Sequence, residues 1–426
     1  MFKRQDIITA IEIGTSKICV LVGSVREGEA LMVIGRGEAP SDGAVVKGEI
    51  VDMDAALEAL VTALEIADKS AGGEVNNSRV IAMSVTACDI ASFQGVGTVF
   101  INAQDHRVGM EDIEEAVRTA QIKPLPPEQM QLNTFDAFYL LDGTRRVRSP
   151  FEQVAHKLEA FLHVIHGNAN RIENFRSLLN DAGFAEVDAK LVFSGIADVY
   201  GILTDEEKEN GVLLVDFGAG TTEYAVVYNF GVLASGVLPV GTDHLANDLS
   251  LGLNLNFNQC RKFLKDGMLE RAVQSGQTEL EMRTLDNTVR RIPVSSFEKI
   301  VDLRYREIFE LIRQRLGAGA IARNLGCGGV ITGGGANSER ACSIFQSVFE
   351  FPFRIGRPYD ASGALTDLED PRYSTVWGTL RYGEDCNKIM ANIRNRGVFG
   401  RLFEAAGSVG DQGLRKIGNL ISSIRV

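Results

Sequence analysis

One unit occurs twice in this sequence and limits what the chain can fold into. "IITAIEI" (7–13) runs through Glu12 into Gly14-Thr15-Ser16-Lys17 and on into "ICVLVGSV" (18–25). Half a chain later, "VLLVDFGAGTTEYAVVY" (212–228) repeats the arrangement: strand, acid, one residue, glycine, small-residue turn, strand. Glu12-Ile13-Gly14-Thr15 aligns with Asp216-Phe217-Gly218-Ala219. The flanking runs are rich in Val, Ile and Leu, as expected for strands covered on both faces. Identity between the copies is thin, so the duplication is one of architecture. It predicts an α/β chain with two domains of like build, each holding a mixed sheet.

Glycine at such turns lets backbone N–H groups and hydroxyls come close to phosphate oxygens. Each hairpin also brings one carboxylate, Glu12 or Asp216, up to its turn. A carboxylate beside a polyphosphate is repulsive unless a cation lies between them. The pair therefore points to Mg²⁺ held through water, because that ion sheds water reluctantly. A third turn, Gly333-Gly334-Gly335, follows the apolar run "GGVIT" and offers flat backbone against which a base or ribose can lie. Any one of these is most simply an ordinary turn; three in this order, each after an apolar strand, argue for a site.

The remaining elements follow from periodicity. A helix is expected over 54–69, stopping at Gly72-Gly73, then strands "RVIAMSV" and "TVFI" and an acidic helix near 110–119. "QLNTFDAFYLLDG" and "HKLEAFLHVIHG" read as strands, and Asn168 as the cap of the helix that ends near Gly183. Ser295 and Glu298 have the spacing of a capping box opening a long helix to Gly317. Residues 383–410 loosen into Asn, Arg and Gly and read as a linker. His156, His163 and His166 are read as solvated or partly packed rather than metal ligands.

The formal net charge of −12 makes nucleic acid an unsuitable general partner. From Lys388 onward, however, seven basic residues face only Glu404 and Asp411, so the tail is electrostatically distinct. The closing "GLRKIGNLISSIRV" places Leu414, Ile417, Leu420, Ile421 and Ile424 on one helical stripe, with Arg415 and Lys416 off it. Such a helix either docks on the protein's own core or lies on a membrane surface. Six scattered cysteines fit a reducing compartment. The first residues lack the apolar run of a signal peptide, and no stretch of about 20 apolar residues exists to span a bilayer.

Residues 11–17, 215–223 and 330–336 resemble the two phosphate motifs and the adenosine motif of the actin and sugar-kinase superfamily. "EIGTSKI", "FSGIADVYGILTDEEKENGVLLVDFGAGTTEYAVV", "ITGGGA" and "DPRYSTVWGTLRYG" resemble, more closely, the FtsA family of bacterial division proteins. The resemblance implies an actin-like fold with subdomain 1A at 1–83, 166–200 and 365–383, and an inserted subdomain 1C at 84–165. It further implies 2A at 201–245 and 323–364, 2B at 246–322, a linker at 384–412 and a membrane-binding helix at 413–426. ATP with Mg²⁺ is expected at Gly14, Thr15, Ser16, Lys17, Gly218, Ala219, Gly220, Thr221, Thr222, Lys262, Gly333, Gly334 and Gly335. Glu12 and Asp216 are the metal–water and hydrolysis candidates, with no confident catalytic residue.

The resemblance also implies polymerisation into protofilaments and late division partners at 1C. It implies binding of the FtsZ C-terminal peptide at 2B through Lys299, Arg304, Tyr305 and Glu307, and attachment of the tail to anionic lipid on the cytoplasmic face of the inner membrane at the division site. Several positions depart from the family pattern. Ala219 and Glu223 replace a Gly and an Asp, and "CRKFLKDG" offers Cys260 and Phe263 where an E-x-x-K face is usual, with Lys262 as a substitute. Ser194 stands where a relative carries a water-orienting Gln, so slow hydrolysis at most is expected. A PilM-like pilus scaffold and a small-molecule kinase are the alternatives.

Overall fold

The computed structural model describes residues 5–395 apart from 27, 186, 318–324, 360–361 and 364–365. The linker beyond 395 and the helix expected at 413–426 lie outside the described residues. Strands β1 (Gln5–Ile13) and β2 (Lys17–Arg26) form an antiparallel hairpin that closes on the 14–17 turn, and β3 (Met32–Pro40) pairs with β2. A small hairpin follows, β4 (Val45–Val46) and β5 (Glu49–Ile50). Its turn residues Lys47 (φ 50°) and Gly48 (φ 76°) are both left-handed, as a two-residue turn of this twist requires. Helix α1 (Met53–Ser70) starts where the Asp52 side chain accepts the Ala55 N–H, and buries Ala56, Leu60, Ala63, Leu64 and Ala67. It lies so close to β3 that a Cβ on Gly37 would stand 1.8 Å from the Ala63 carbonyl. Strand β6 (Ser78–Val85) then pairs parallel with β1.

An insertion leaves the first domain here. Its elements are β7 (Ala91–Phe100), α2 (Met110–Ala120), β8 (Gln129–Leu141), β9 (Arg145–Val147) and β10 (Lys157–Asn168), in sheet order β7-β10-β8-β9. It has a core of its own, built from Val99, Ile113, Val117, Leu158 and Leu162 among others. The Asn168 side chain accepts the Asn170 and Arg171 N–H groups and so caps α3 (Ala169–Leu179) as expected; the turn beyond closes at Gly183, φ 98°. β11 (Lys190–Phe193) completes the return beside β6.

Helices α4 (Ser194–Ile202) and α5 (Asp205–Asn210) lead into the second domain. Its sheet comprises β12 (Val212–Phe217), β13 (Thr222–Tyr228) and β14 (Gly231–Leu238). The lobe after it comprises α6 (Thr242–Leu253), α7 (Phe257–Lys265), α8 (Met268–Gln274), the ribbon β15 (Glu279–Arg283) and β16 (Val289–Pro293), and α9 (Val294–Leu316). β17 (Gly329–Thr332), α10 (Glu339–Phe349) and β18 (Phe353–Ile355) finish that domain. β19 (Ser362–Gly363) and α11 (Ser374–Asn395) return to the first.

The duplication read from the two hairpins is present in the sheets. The first domain is ordered β11-β6-β1-β2-β3-β19 and the second β18-β17-β12-β13-β14. In each, the hairpin's first strand pairs parallel with the strand next to it, β6 or β17.

Three expectations need correction. The long helix has no capping box: it begins at Val294, two residues early, because buried Val294 follows Pro293, whose φ of −57° suits a helix entry. Ser295 is therefore inside the first turn, and Glu298 instead takes a hydrogen bond from Arg340 at 2.6 Å. Nor does the chain loosen at residue 383 or 384, since α11 runs to Asn395. Buried Glu384 is paired with Lys388 one turn on (2.7 Å), and buried Asn387 donates to Asp6 (3.2 Å). His163 is not solvated but 1% exposed, its Nε2 lying 2.7 Å from Ser235 Oγ where the insertion meets the second domain.

Candidate functional site

The three glycine turns converge on one cleft between the two domains, a cavity of about 660 Å³. Gly14 N–H donates to the Lys17 carbonyl (2.9 Å), and Gly218 N–H to the Thr221 carbonyl (3.0 Å), so the two turns are closed by the same bond. They face one another closely: a Cβ on Gly220 would lie 2.4 Å from Thr15 Oγ1 and 2.9 Å from Lys47 Cα. The third turn packs against the second. A Cβ on Gly333 (φ 83°) would stand 2.1 Å from Asp216 Oδ1, and one on Gly335 2.0 Å from the Phe217 ring. Only glycine fits these two positions.

Gly14, Thr15, Ser16, Lys17, Gly218, Ala219, Gly220, Thr221, Gly333, Gly334 and Gly335 all line the cleft. Thr222 does not: it is the first residue of β13, fully buried, and its hydroxyl donates to the Val240 carbonyl at 2.6 Å. Lys262 is on the wrong side of α7. Residues four apart share a helix face, and the face turned to the cleft carries Arg261, Leu264 and Lys265. Cys260 and Phe263 belong to the buried core behind them. Arg261 reaches Asp243 at 2.8 Å, and Ser338 Oγ donates to Glu270 Oε1 at 2.8 Å.

Three carboxyl groups line the base of the cleft, Glu12 from β1, Asp216 from β12 and Glu223 from β13, and Asp198 from α4 is buried behind them. Thr375 Oγ1 reaches both Asp198 Oδ1 (3.1 Å) and Asp216 Oδ2 (3.3 Å). Glu223 Oε1 accepts from Thr86 (2.5 Å) and Thr221 (2.8 Å). Burial pushes the Glu12 carboxyl up to about 7, against the pull of Lys17. Asp198, Asp216 and Glu223 are also raised, first by burial, and then by the charge of Asp216 on Asp198 and Glu223 and of Glu12 on Asp216. Glu12 Oε2 and Asp198 Oδ2 are buried with no hydrogen-bond partner. This donor set, all carboxylate and hydroxyl oxygen and short of positive charge, fits a hydrated Mg²⁺.

Asp198 was not singled out from sequence. The available signal was its isolation: it is the one acid in "SGIADVYGI", a helix otherwise apolar or small, and is 0% exposed. Ser194, one turn earlier, does line the cleft.

The partner residues divide. Lys299 and Glu307 are exposed on α9. Arg304 is held by Asp248 through two bonds (2.6 and 2.9 Å) and reaches Glu307 at 2.6 Å. Tyr305 is not a surface residue. It is 4% exposed, packs edge-on to Phe217 at 5.5 Å and lines the cleft, because its side of α9 faces the domain core.

Two domains with duplicated sheets and a cleft built from paired glycine turns define an actin-like protein. Solved structures agree on the fold. A type IV pilus biogenesis complex of PilM and PilN matches with a TM-score of 0.56 at 15% identity, covering 88% of this chain and 98% of that one. MreB5 of Spiroplasma citri bound to ADP matches at 0.51 and 13% identity, covering 91% and 99%. The sequence comparisons are closer. Residues 213–378 match the family described as cell division protein FtsA, and residues 88–166 the SHS2 domain inserted in FtsA. Cell division protein FtsA of Pseudomonas aeruginosa is 30% identical over 378 residues, covering 88% of this chain and 89% of the relative. That of Escherichia coli K12 is 25% identical over 396 residues, covering 90% and 92%. The chain belongs to the FtsA family of actin-like cell-division proteins. No described helix is long and apolar enough to cross a membrane.

Proposed function

We propose that the cleft binds ATP with Mg²⁺ and that the loaded protein polymerises on the cytoplasmic face of the inner membrane at the division site. The observation that carries the nucleotide reading is the convergence of three glycine turns over the carboxyl groups of Glu12, Asp216 and Glu223. The N–H groups and hydroxyls of the 14–17 and 218–221 turns would cradle phosphates, and Gly333–Gly335 would lie beneath the nucleoside. Glu12, Asp216 and Glu223 would hold the metal through water, with Asp198 behind them, and the metal would neutralise phosphate charge. The domains would be drawn together across the cleft by a ligand that both turns grip. Ser194 lines the cleft where a relative carries a water-orienting Gln, which supports slow turnover rather than an efficient hydrolase.

In this reading the lobe at 246–322 takes the FtsZ C-terminal peptide, with Lys299, Arg304 and Glu307 offered on or beside α9. The insertion at 84–165 takes later division proteins, and 413–426 lies on anionic lipid. Five Leu and Ile side chains of the tail would contribute several kcal/mol on burial, with about 1 kcal/mol for each nearby cation. A single helix of this kind binds reversibly, so attachment would depend on several copies in one filament.

The test is reconstitution on vesicles containing anionic lipid, with FtsZ in solution. The full chain with ATP and Mg²⁺ should bring FtsZ to the vesicles, and a chain ending at Gly410 should not. Recruitment by the shortened chain would remove the tail from the account. Vesicle binding without FtsZ recruitment would remove the tether.

A further inference from the structure

A tyrosine outside the cleft holds the cation inside it. Tyr373, just before α11, has Lys17 Nζ 3.8 Å from its ring centroid, with Arg36 at 5.1 Å and Arg372 at 5.8 Å. Its hydroxyl donates to Glu38 Oε2 at 3.1 Å, and the same oxygen takes Lys17 Nζ at 3.2 Å. Lys17 and Glu38 line the cleft; Tyr373 does not. The lysine is thus pinned between an aromatic face and a carboxylate at the mouth of the 14–17 turn. A flexible four-carbon side chain loses much entropy when fixed by a ligand, and a ring that fixes it beforehand removes part of that cost. A carboxylate does the opposite service, since it competes with phosphate for the same ammonium.

We propose that Tyr373 is a positioning residue for Lys17, and that Glu38 is a resident counter-ion which a nucleotide phosphate must replace. The proposal rests on the nucleotide reading of the cleft and adds residues from a strand and a helix entry that the phosphate motifs do not include. It makes a polyphosphate, rather than the nucleoside, the group that feels both residues. The two residues act in opposite directions, which a merely structural role for the cluster would not produce.

The experiment is equilibrium titration of the full chain and its variants with ATP, ADP and adenosine, each with Mg²⁺. Tyr373→Leu should weaken ATP about three- to fivefold while adenosine changes little, and Tyr373→Phe, which keeps the ring, should restore the parent value. Glu38→Gln should strengthen ATP relative to adenosine by a similar factor. Equal losses for ATP and adenosine in Tyr373→Leu, or weaker ATP binding in Glu38→Gln, would overturn the proposal. A parent protein that binds none of the three would instead remove the nucleotide reading itself. Circular dichroism melting of each variant separates a folding defect from a binding one, and Tyr373→Phe keeps the test decisive if Tyr373→Leu fails to fold.

Discussion

Thr86 and Glu223 meet 2.5 Å apart across the domain boundary. The hydroxyl stands at the end of β6 in the first domain and the carboxyl in β13 of the second; Thr221 donates to the same oxygen from 2.8 Å. Both Thr86 and Glu223 are buried at the base of the cleft, where the bond joins the two domains. Thr86→Val should cost about 1–3 kcal/mol, the usual effect of leaving a buried acceptor short of a donor. Thr86→Ser should recover most of that loss. Urea unfolding of the three proteins measures it; equal stability of Thr86→Val and the parent would mean the contact contributes nothing.

The carboxyl cluster sets a pH dependence. Glu12 is raised from 4.5 to about 7, and its three neighbours are raised as well. An acid whose folded pKa exceeds its unfolded one binds more protons in the folded state, so its effect on stability worsens as pH rises through that interval. Without divalent cation, the melting temperature of the parent should fall more steeply than that of Glu12→Gln between about pH 5 and pH 8. Added Mg²⁺ with ATP should raise it more at the upper end than at the lower. Parallel profiles for the two proteins would show that the cluster is already neutralised by other means.

His163 gives a slope of the other sign. Burial pushes it down from 6.5 to about 4. The folded state keeps the ring neutral while the unfolded chain protonates it below 6.5, so stability is lost as pH falls from there and levels off below about 4. His163→Gln should flatten that limb. Because the ring reaches Ser235 in β14, protection of 231–238 against hydrogen exchange, taken relative to the intrinsic rate at each pH, should fall on acidification in the parent more than in the variant. Unchanged protection in that strand would break the connection between the histidine and the interface.

Gly333→Ala should damage site and fold together. The added Cβ would fall 2.1 Å from Asp216 Oδ1 at a φ of 83°, where alanine is already strained. A loss of about 1–3 kcal/mol and of most nucleotide affinity is expected. Gly72→Ala also places alanine at positive φ (74°), but with nothing within 4 Å, so it isolates the backbone component. Like effects from both would show that the cleft contact is unimportant.

What could be read from sequence follows the range of each interaction. The paired hairpins, the Asn168 cap and the stop at Gly317 are local, fixed by residues a few positions apart, and they stand where expected. Asp198 joins the site only because α4 is carried against β12 by the packing of both domains, and no spacing announces that. Lys262 failed by one residue, which on a helix is a rotation of about 100° and so a different face. Tyr305 failed for a similar reason: α9 carries charge on both sides of it, and only the contact with Phe217 shows which side is buried. The capping box failed because Ser-x-x-Glu occurs one residue inside the helix start, and Glu298 has a stronger partner in Arg340.

The cleft as a Mg²⁺-dependent nucleotide site is tested most directly by calorimetric titration of the full chain with ATP, once with Mg²⁺ and once with a chelator. Saturable binding of one ATP per chain, weakened at least tenfold when the metal is removed, is the predicted result, because Glu12, Asp216 and Glu223 then face the phosphates without a cation between them. Binding of equal strength with and without Mg²⁺, or no binding at all, would contradict it.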